Sequence, residues 1–243
     1  MLDDIVFWLL AIFGVILTGI SKSGFAGGAG VVAVPLLALW IPLEQAISIL
    51  LPVLIAMDAQ AVRLYWRHVN WPILKRLLPA AIIGIALAGW FLTRLPSNIL
   101  LIILACISII FALWQPLLRF ITHLRGQGFF WGCLSGISST LLHAGGPPIN
   151  AYLMSLALPK LQWLAVTCVF FAVMNWVKVI PYSLGGLWRW DWLLLSILLL
   201  PIAYVGIALG HRIQSVLSEA LFMQICRTLL FVSGVGLLLK AYL

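Results

Sequence analysis

Four ionisable residues fall where apolar side chains would be expected. Asp58 is the one acid well inside an apolar segment, Lys178 and Arg227 also lie within apolar segments, and Lys22 interrupts a long uncharged stretch. Ionisable groups in hydrocarbon are expensive to bury, and for that reason they mark function by default. The chemistry open to them is ionic rather than covalent. Asp58 either carries a coupling proton or pairs with Arg63 near the helix end, and its counterpart in the repeat described below, Asn175, cannot titrate. Lys22 either pairs with an anion or snorkels to the cytoplasmic surface. Lys178 and Arg227 are candidates to face a cavity, where arginine suits bidentate contact with an oxyanion; Arg227 can instead be hidden on an outer helix by snorkelling. His143, with no acidic neighbour in sequence, donates to an anion, carries a proton, or is a structural histidine.

These residues stand near two runs of small and polar side chains. The first is residues 19–30, Gly-Ile-Ser-Lys-Ser-Gly-Phe-Ala-Gly-Gly-Ala-Gly, leading into Val34-Pro35. The second is residues 136–148, Gly-Ile-Ser-Ser-Thr-Leu-Leu-His-Ala-Gly-Gly-Pro-Pro, leading into Ile149-Asn150. Gly27, Gly28 and Gly30, and then Gly145, Gly146 and Pro147, make unwinding of a helix expected, because glycine tolerates positive φ and proline lacks an N–H. A new helix then starts close to residue 30 and residue 148. Its N-terminus offers free N–H groups and the positive end of a dipole, a seat for a small anion. Ser21, Ser23, Ser138, Ser139 and Thr140 either donate to a bound oxyanion or satisfy their own helix. The alternative role for the glycines is close helix packing; two breaks at matching positions point instead to a transporter's binding site.

The elements that must hold these breaks are set by composition. The chain has 243 residues, of which 64% are hydrophobic and 8% charged, and a mean hydropathy of +1.18. A soluble domain carries about 25% charged residues, so the class is an all-α polytopic membrane protein. Ten apolar segments are expected, at roughly residues 5–21, 30–41, 43–66, 72–93, 97–118, 127–142, 148–158, 161–184, 190–210 and 219–241. Those at 30–41 and 148–158 are too short to cross alone and read as half-helices continuing from the breaks. The acidic start, Asp3-Asp4, is unlike a cleaved signal peptide. Cys106, Cys133, Cys168 and Cys226 lie inside apolar runs without metal-ligand spacing and read as small hydrophobes. Trp71, Trp114, Trp188, Trp190 and Trp192 sit near segment ends as an interfacial belt.

The chain reads as a duplication. Laying Gly19-Ile20-Ser21 on Gly136-Ile137-Ser138 brings Gln45 onto Gln162, Met57 onto Met174 and Asp58 onto Asn175. After a small shift, Pro79 meets Pro201 and residues 84–87 meet residues 206–209, both Gly-Ile-Ala-Leu. This gives two homologous repeats of four to five membrane helices, residues 1–118 and 127–243, joined by a cytoplasmic connector at 119–126. Arg63, Arg67, His68, Lys75 and Arg76 cluster between two segments, and Arg119, His123 and Arg125 lie at the join, so both groups belong in the cytoplasm. If the short segments cross, each half has five spans and the halves are inverted; if they are re-entrant, the halves are parallel. Inversion is favoured, since it places the acidic start outside and Lys22 inside. The net charge of +8 is not a nucleic-acid footprint, because few of the basic residues adjoin one another and those that do sit at segment ends.

At this point the chain resembles the sulfite exporter TauE/SafE family. The resemblance is carried by Gly24, Gly27, Gly28, Gly30 and Pro35, by Gly136, Gly145, Gly146, Pro147 and Asn150, and by the Pro-x4-Gly near the end of each half. It covers nearly the whole chain, although His143 stands where a glycine is common. The resemblance implies a multi-pass permease of the bacterial inner membrane that moves sulfite, an organosulfonate or a related sulfur-containing anion.

Other classes fit less well. A rhomboid-like hydrolase needs Gly-x-Ser-Gly, and Ser135-Gly136 is preceded at the first position by Cys133. Four scattered histidines and one deep acid do not form a metal site. An anion channel would share the anion-attracting helix ends, but paired breaks favour alternating access. The expected partners are therefore the anion and the lipid bilayer, with no cofactor and no nucleic acid, and with homo-oligomerisation left open.

Overall fold

A backbone in hydrocarbon must satisfy its own N–H and C=O groups, which an α-helix does within one segment. In the computed structural model residues 4–25, 32–92, 94–121, 128–213 and 218–242 are described. Regular structure among them is helical throughout. The first half of the chain holds α1 (Ile5–Gly24), α2 (Ala33–Ala38), α3 (Leu43–Tyr65, continued by a 3-10 turn at Trp66–His68), α4 (Trp71–Leu92) and α5 (Ser97–Ile121). The second half holds α6 (Gly128–Leu142), α7 (Gly146–Ser155), α8 (Lys160–Leu184), α9 (Trp190–Ile213) and α10 (Glu219–Tyr242).

These helices follow the ten apolar segments expected from sequence. Six of them (α1, α3, α4, α8, α9 and α10) are long and apolar enough to cross a membrane, while Ser97–Leu113 and Gly128–Leu142 are shorter apolar stretches. The short segments after the two breaks are helices of 6 and 10 residues. The second starts at Gly146 rather than at 148, because Pro147 and Pro148 fit the first turn of a helix, where no N–H is needed. Gly27, Gly28 and Gly30 of the first break, and residues 122–126 of the expected connector, lie outside the described residues.

Side-chain contacts fix how the helices run. Trp40, just past α2, donates from Nε1 to Asp4, the N-cap of α1, at 2.6 Å, and a Cβ on Gly14 would meet Ala33 at 3.1 Å. α2 therefore folds back along α1 and ends beside its start. α7 does the same along α6, since a Cβ on Gly128 would meet the Tyr152 hydroxyl at 3.1 Å. α3 and α8 run antiparallel: moving along α8, Cys168 reaches the end of α1, Asn175 reaches Asp58, and Lys178 reaches His143, which itself touches Ile47 near the start of α3.

The halves interlock. α1 packs chiefly on α9, α4 chiefly on α6, and α5 on α10. Backbones come together at small residues, as membrane helices require: a Cβ on Gly19 would lie 2.7 Å from the Gly206 carbonyl carbon, and one on Gly136 would collide with the Ala81 carbonyl oxygen. Among the spans, α8 has 61% of its most apolar window buried against 28% for α10, so α8 is central and α10 peripheral.

Candidate functional site

The last carbonyls of a helix have no partner within it, and at both breaks these groups are met by side chains from a central helix. Tyr65 of α3 donates to the Ser23 carbonyl at 2.6 Å. Tyr182 of α8 donates to the Thr140 carbonyl at 2.7 Å. Cys168 of α8 reaches the Lys22 carbonyl at 3.7 Å, and within the second break Ser135 donates to the Gly145 carbonyl at 2.7 Å. The helix ends that precede the two breaks are thus tied to α3 and α8, which satisfies their last carbonyls at membrane depth.

Two buried clusters, each built around a lysine, lie between these ties. In the first, the Lys22 ammonium of α1 is hydrogen-bonded to the Asp58 carboxylate of α3, whose other oxygen accepts from Asn175 of α8. Of the two sequence readings of Asp58, pairing with Arg63 is corrected, since Asp58 pairs with Lys22 and Arg63 is exposed. In the second, Lys178 of α8, with 0% exposure, donates to the Ser139 carbonyl at 3.2 Å, the Ser139 hydroxyl at 3.1 Å and His143 Nδ1 at 2.8 Å. The tautomer follows from the other ring nitrogen. His143 Nε2 faces the Ile47 carbonyl at 2.9 Å, and a carbonyl can only accept, so Nε2 carries the hydrogen and Nδ1 accepts from Lys178. Three acceptors match the three N–H groups of an ammonium. None of them is an anion.

The charge balance follows. Counted at their ordinary charges, Lys22 and Lys178 supply two positive charges and Asp58 one negative, which leaves one positive charge formally in excess. Among the described residues the ion pairs are Lys22–Asp58 and the exposed Arg189–Asp191. Lys178 therefore has hydrogen-bond partners but no counter-ion. Next to its partners Ser139 and His143 is a cavity of about 20 Å³, room for about one water molecule, lined by Thr18, Lys22, Leu54, Ser139, His143, Phe171 and Asn175, with Lys178 itself set behind the lining. A cavity of that size is too small for a polyatomic anion.

The remaining sequence candidates separate by their partners. Ser23, Ser138 and Thr140 donate to the backbone carbonyls of Gly19 and Ile207, of Leu134 and Ala144, and of Gly136 respectively, so these hydroxyls serve the helices. Ser21 is buried in α1 and Gly24 is that helix's last residue. Asn150 accepts from Trp163 Nε1 at 2.9 Å, away from the cavity lining. Arg227 lies on α10, which packs chiefly on α5 and α2, and it does not line the cavity. Gly145 is needed for contact, because a Cβ there would come within 2.8 Å of the Ser135 hydroxyl and 2.9 Å of the Phe171 ring. The anion seat expected at the α7 N-terminus is short of donors. Pro147 and Pro148 have no N–H, and that of Ile149 is directed at the Gly145 carbonyl at 3.4 Å. Cationic charge near the break comes from Lys178 instead.

Sequence reasoning missed Tyr65, Tyr182, Thr18, Leu54 and Phe171. The two tyrosines were within reach, since they are related by the same 117-residue offset as Asp58 and Asn175.

The model of the family "Sulfite exporter TauE/SafE" matches residues 10–237. No curated protein and no solved structure matches the chain. With the match covering all but the ends of an integral, multi-pass membrane protein, the chain belongs to the sulfite exporter TauE/SafE family of transporters.

Proposed function

We propose that this protein is an alternating-access permease for a small sulfur-containing anion, sulfite or an organosulfonate, in the inner membrane of a bacterial cell. One observation carries the reading: Lys178 is fully buried, its hydrogen-bond partners Ser139 and His143 include no acid, and both of them line a cavity at the second break. A buried charge left unbalanced is costly, and a transported anion that supplies the balance turns the cost into affinity. In this account the anion binds between the ends of α1 and α6. Ser139 and His143 face it with Lys178 behind them, and Lys22 and Asn175 form the opposite wall with Asp58 behind them.

We propose further that residues 1–118 and 127–243 are inverted repeats joined at 119–126. Support comes from the five helices in each half, from α2 and α7 each returning along the preceding helix, and from the antiparallel course of the corresponding helices α3 and α8. The charge pattern agrees with it. Tyr65 meets His211, so α3 and α9 end on one side, and that side gathers Arg63, Arg67, Lys75, Arg76 and Arg212. Such a bias orients the side toward the cytoplasm. Rocking of one repeat against the other would widen the closed cavity toward either surface.

Flux in proteoliposomes of purified protein tests the reading, with sulfite, thiosulfate, sulfate, a sulfonate and chloride compared in parallel. Saturable flux that selects one sulfur anion over chloride is expected. Flux of none of these anions overturns the reading.

A further inference from the structure

We infer that the site is matched to one negative charge, so that it takes a monovalent sulfonate alone and a divalent oxyanion only together with one proton, accepted by Asp58. The inference rests on the transport reading for the location of the anion, and on the charges and hydrogen bonds of the cluster for its content.

With Lys22 and Lys178 both counted as ammonium against Asp58, the empty site carries one excess positive charge, which the three acceptors around Lys178 hydrogen-bond without neutralising. A monoanion neutralises it. A dianion leaves one negative charge in excess, which a proton on Asp58 cancels. The proton needs an acceptor with an available lone pair, and the cluster offers one. His143 is committed at both nitrogens, with Nε2–H on the Ile47 carbonyl and Nδ1 accepting from Lys178. Each oxygen of Asp58 accepts a single bond, from Lys22 and from Asn175, while a carboxylate oxygen has two lone pairs.

The groups facing Asp58 are few. α1 supplies Lys22, and α8 supplies Asn175, the Cys168 thiol and, at longer range, Lys178. α6 brings His143, and α9 brings His211 only further along, at Tyr65. α2 has no charged residue, and α5 has none among its described side chains. In the step itself, a proton from bulk solvent arrives as hydronium along the water that enters with the dianion; a hydronium O–H bond breaks, an O–H bond forms on Asp58, and neutral water is left. Lys22 remains an ammonium and loses its partner, so the site presents two positive charges to two negative ones. Release reverses both events. Lys22 and Asn175 already line the cavity, so the carboxylate lies directly behind the anion's seat.

Isothermal titration of the purified full chain in two buffers of different ionisation enthalpy counts protons taken up on binding. Methanesulfonate serves as the monoanion and sulfate as the dianion. The expected result is one proton taken up per sulfate and none per methanesulfonate. Lys22→Gln combined with Asp58→Asn removes the pair without leaving an unmatched charge, and should abolish proton uptake with sulfate. Equal uptake with both anions, uptake that persists in the double variant, sulfate binding without a proton, or binding of neither anion overturns the inference. Flux is measured separately. The expected binding pattern without flux would sustain the charge matching and remove the transport reading.

Discussion

Tyr65 donates to the Ser23 carbonyl at 2.6 Å, and Tyr182, at the 117-residue offset that separates Asp58 from Asn175, donates to the Thr140 carbonyl at 2.7 Å. Each hydroxyl therefore caps a carbonyl in the last turn of the helix that precedes a break, and each comes from the long central helix of its own half. Both tyrosines are buried. The two bonds hold the helix ends at the breaks against α3 and α8.

Removing either hydroxyl leaves a buried carbonyl without its cap, at a cost of about 1–3 kcal/mol. Tyr65→Phe and Tyr182→Phe should each lower the melting temperature of the detergent-purified protein, by similar amounts. A large loss for one and none for the other would show that the two ties are not equivalent.

His143 has a φ of 53°, in the left-handed region, which costs a side-chain-bearing residue about 1–3 kcal/mol. His143→Gly keeps the conformation without that strain but removes the Nδ1 acceptor from Lys178 and the link to Ile47. His143→Ala loses the same bonds and retains the strain. The glycine variant should thus melt above the alanine variant, while both transport more slowly than the parent. Thermal melts and initial rates in proteoliposomes separate the two effects.

Gly145 offers a test of packing at the second break. Gly145→Ala would drive a methyl group to 2.8 Å from the Ser135 hydroxyl and 2.9 Å from Phe171, and it would displace the bond from Ser135 to the Gly145 carbonyl. The expected result is membrane insertion at the parental level with transport reduced roughly tenfold or more, in line with about 1–3 kcal/mol for overpacking. Fractionation and flux read the two outcomes, and parental transport would show that the break tolerates a side chain.

Much of the fold was legible because lipid leaves the chain little choice. Apolar length dictates helices, and the interruptions at residues 19–30 and 136–148 stand out against them. The partners of the polar residues were harder. Asp58 lies five positions from Arg63, a spacing that does not share a helix face, and its partner Lys22 is 36 residues away on another helix. Whether a serine serves a ligand or its own backbone also depends on packing. Ser138 and Ser139 are neighbours of one type, yet one donates to backbone carbonyls and the other faces Lys178. Arg227 shows the converse limit, since a basic residue in an apolar segment reads alike on a central helix and on the peripheral α10. The shortage of donors at α7 is visible in Pro147-Pro148, which supply no N–H to the first turn after the break.

The most direct measurement is the initial rate of sulfite flux in proteoliposomes for the parent and for Lys178→Met, which keeps the length of the side chain and removes its charge. Loss of a buried charge-assisted contact costs about 2–5 kcal/mol, so the account predicts a fall of at least about 30-fold, with the variant still folded by its thermal melt. Parental flux in a folded Lys178→Met protein would contradict the claim that Lys178 is the counter-ion of the transported anion.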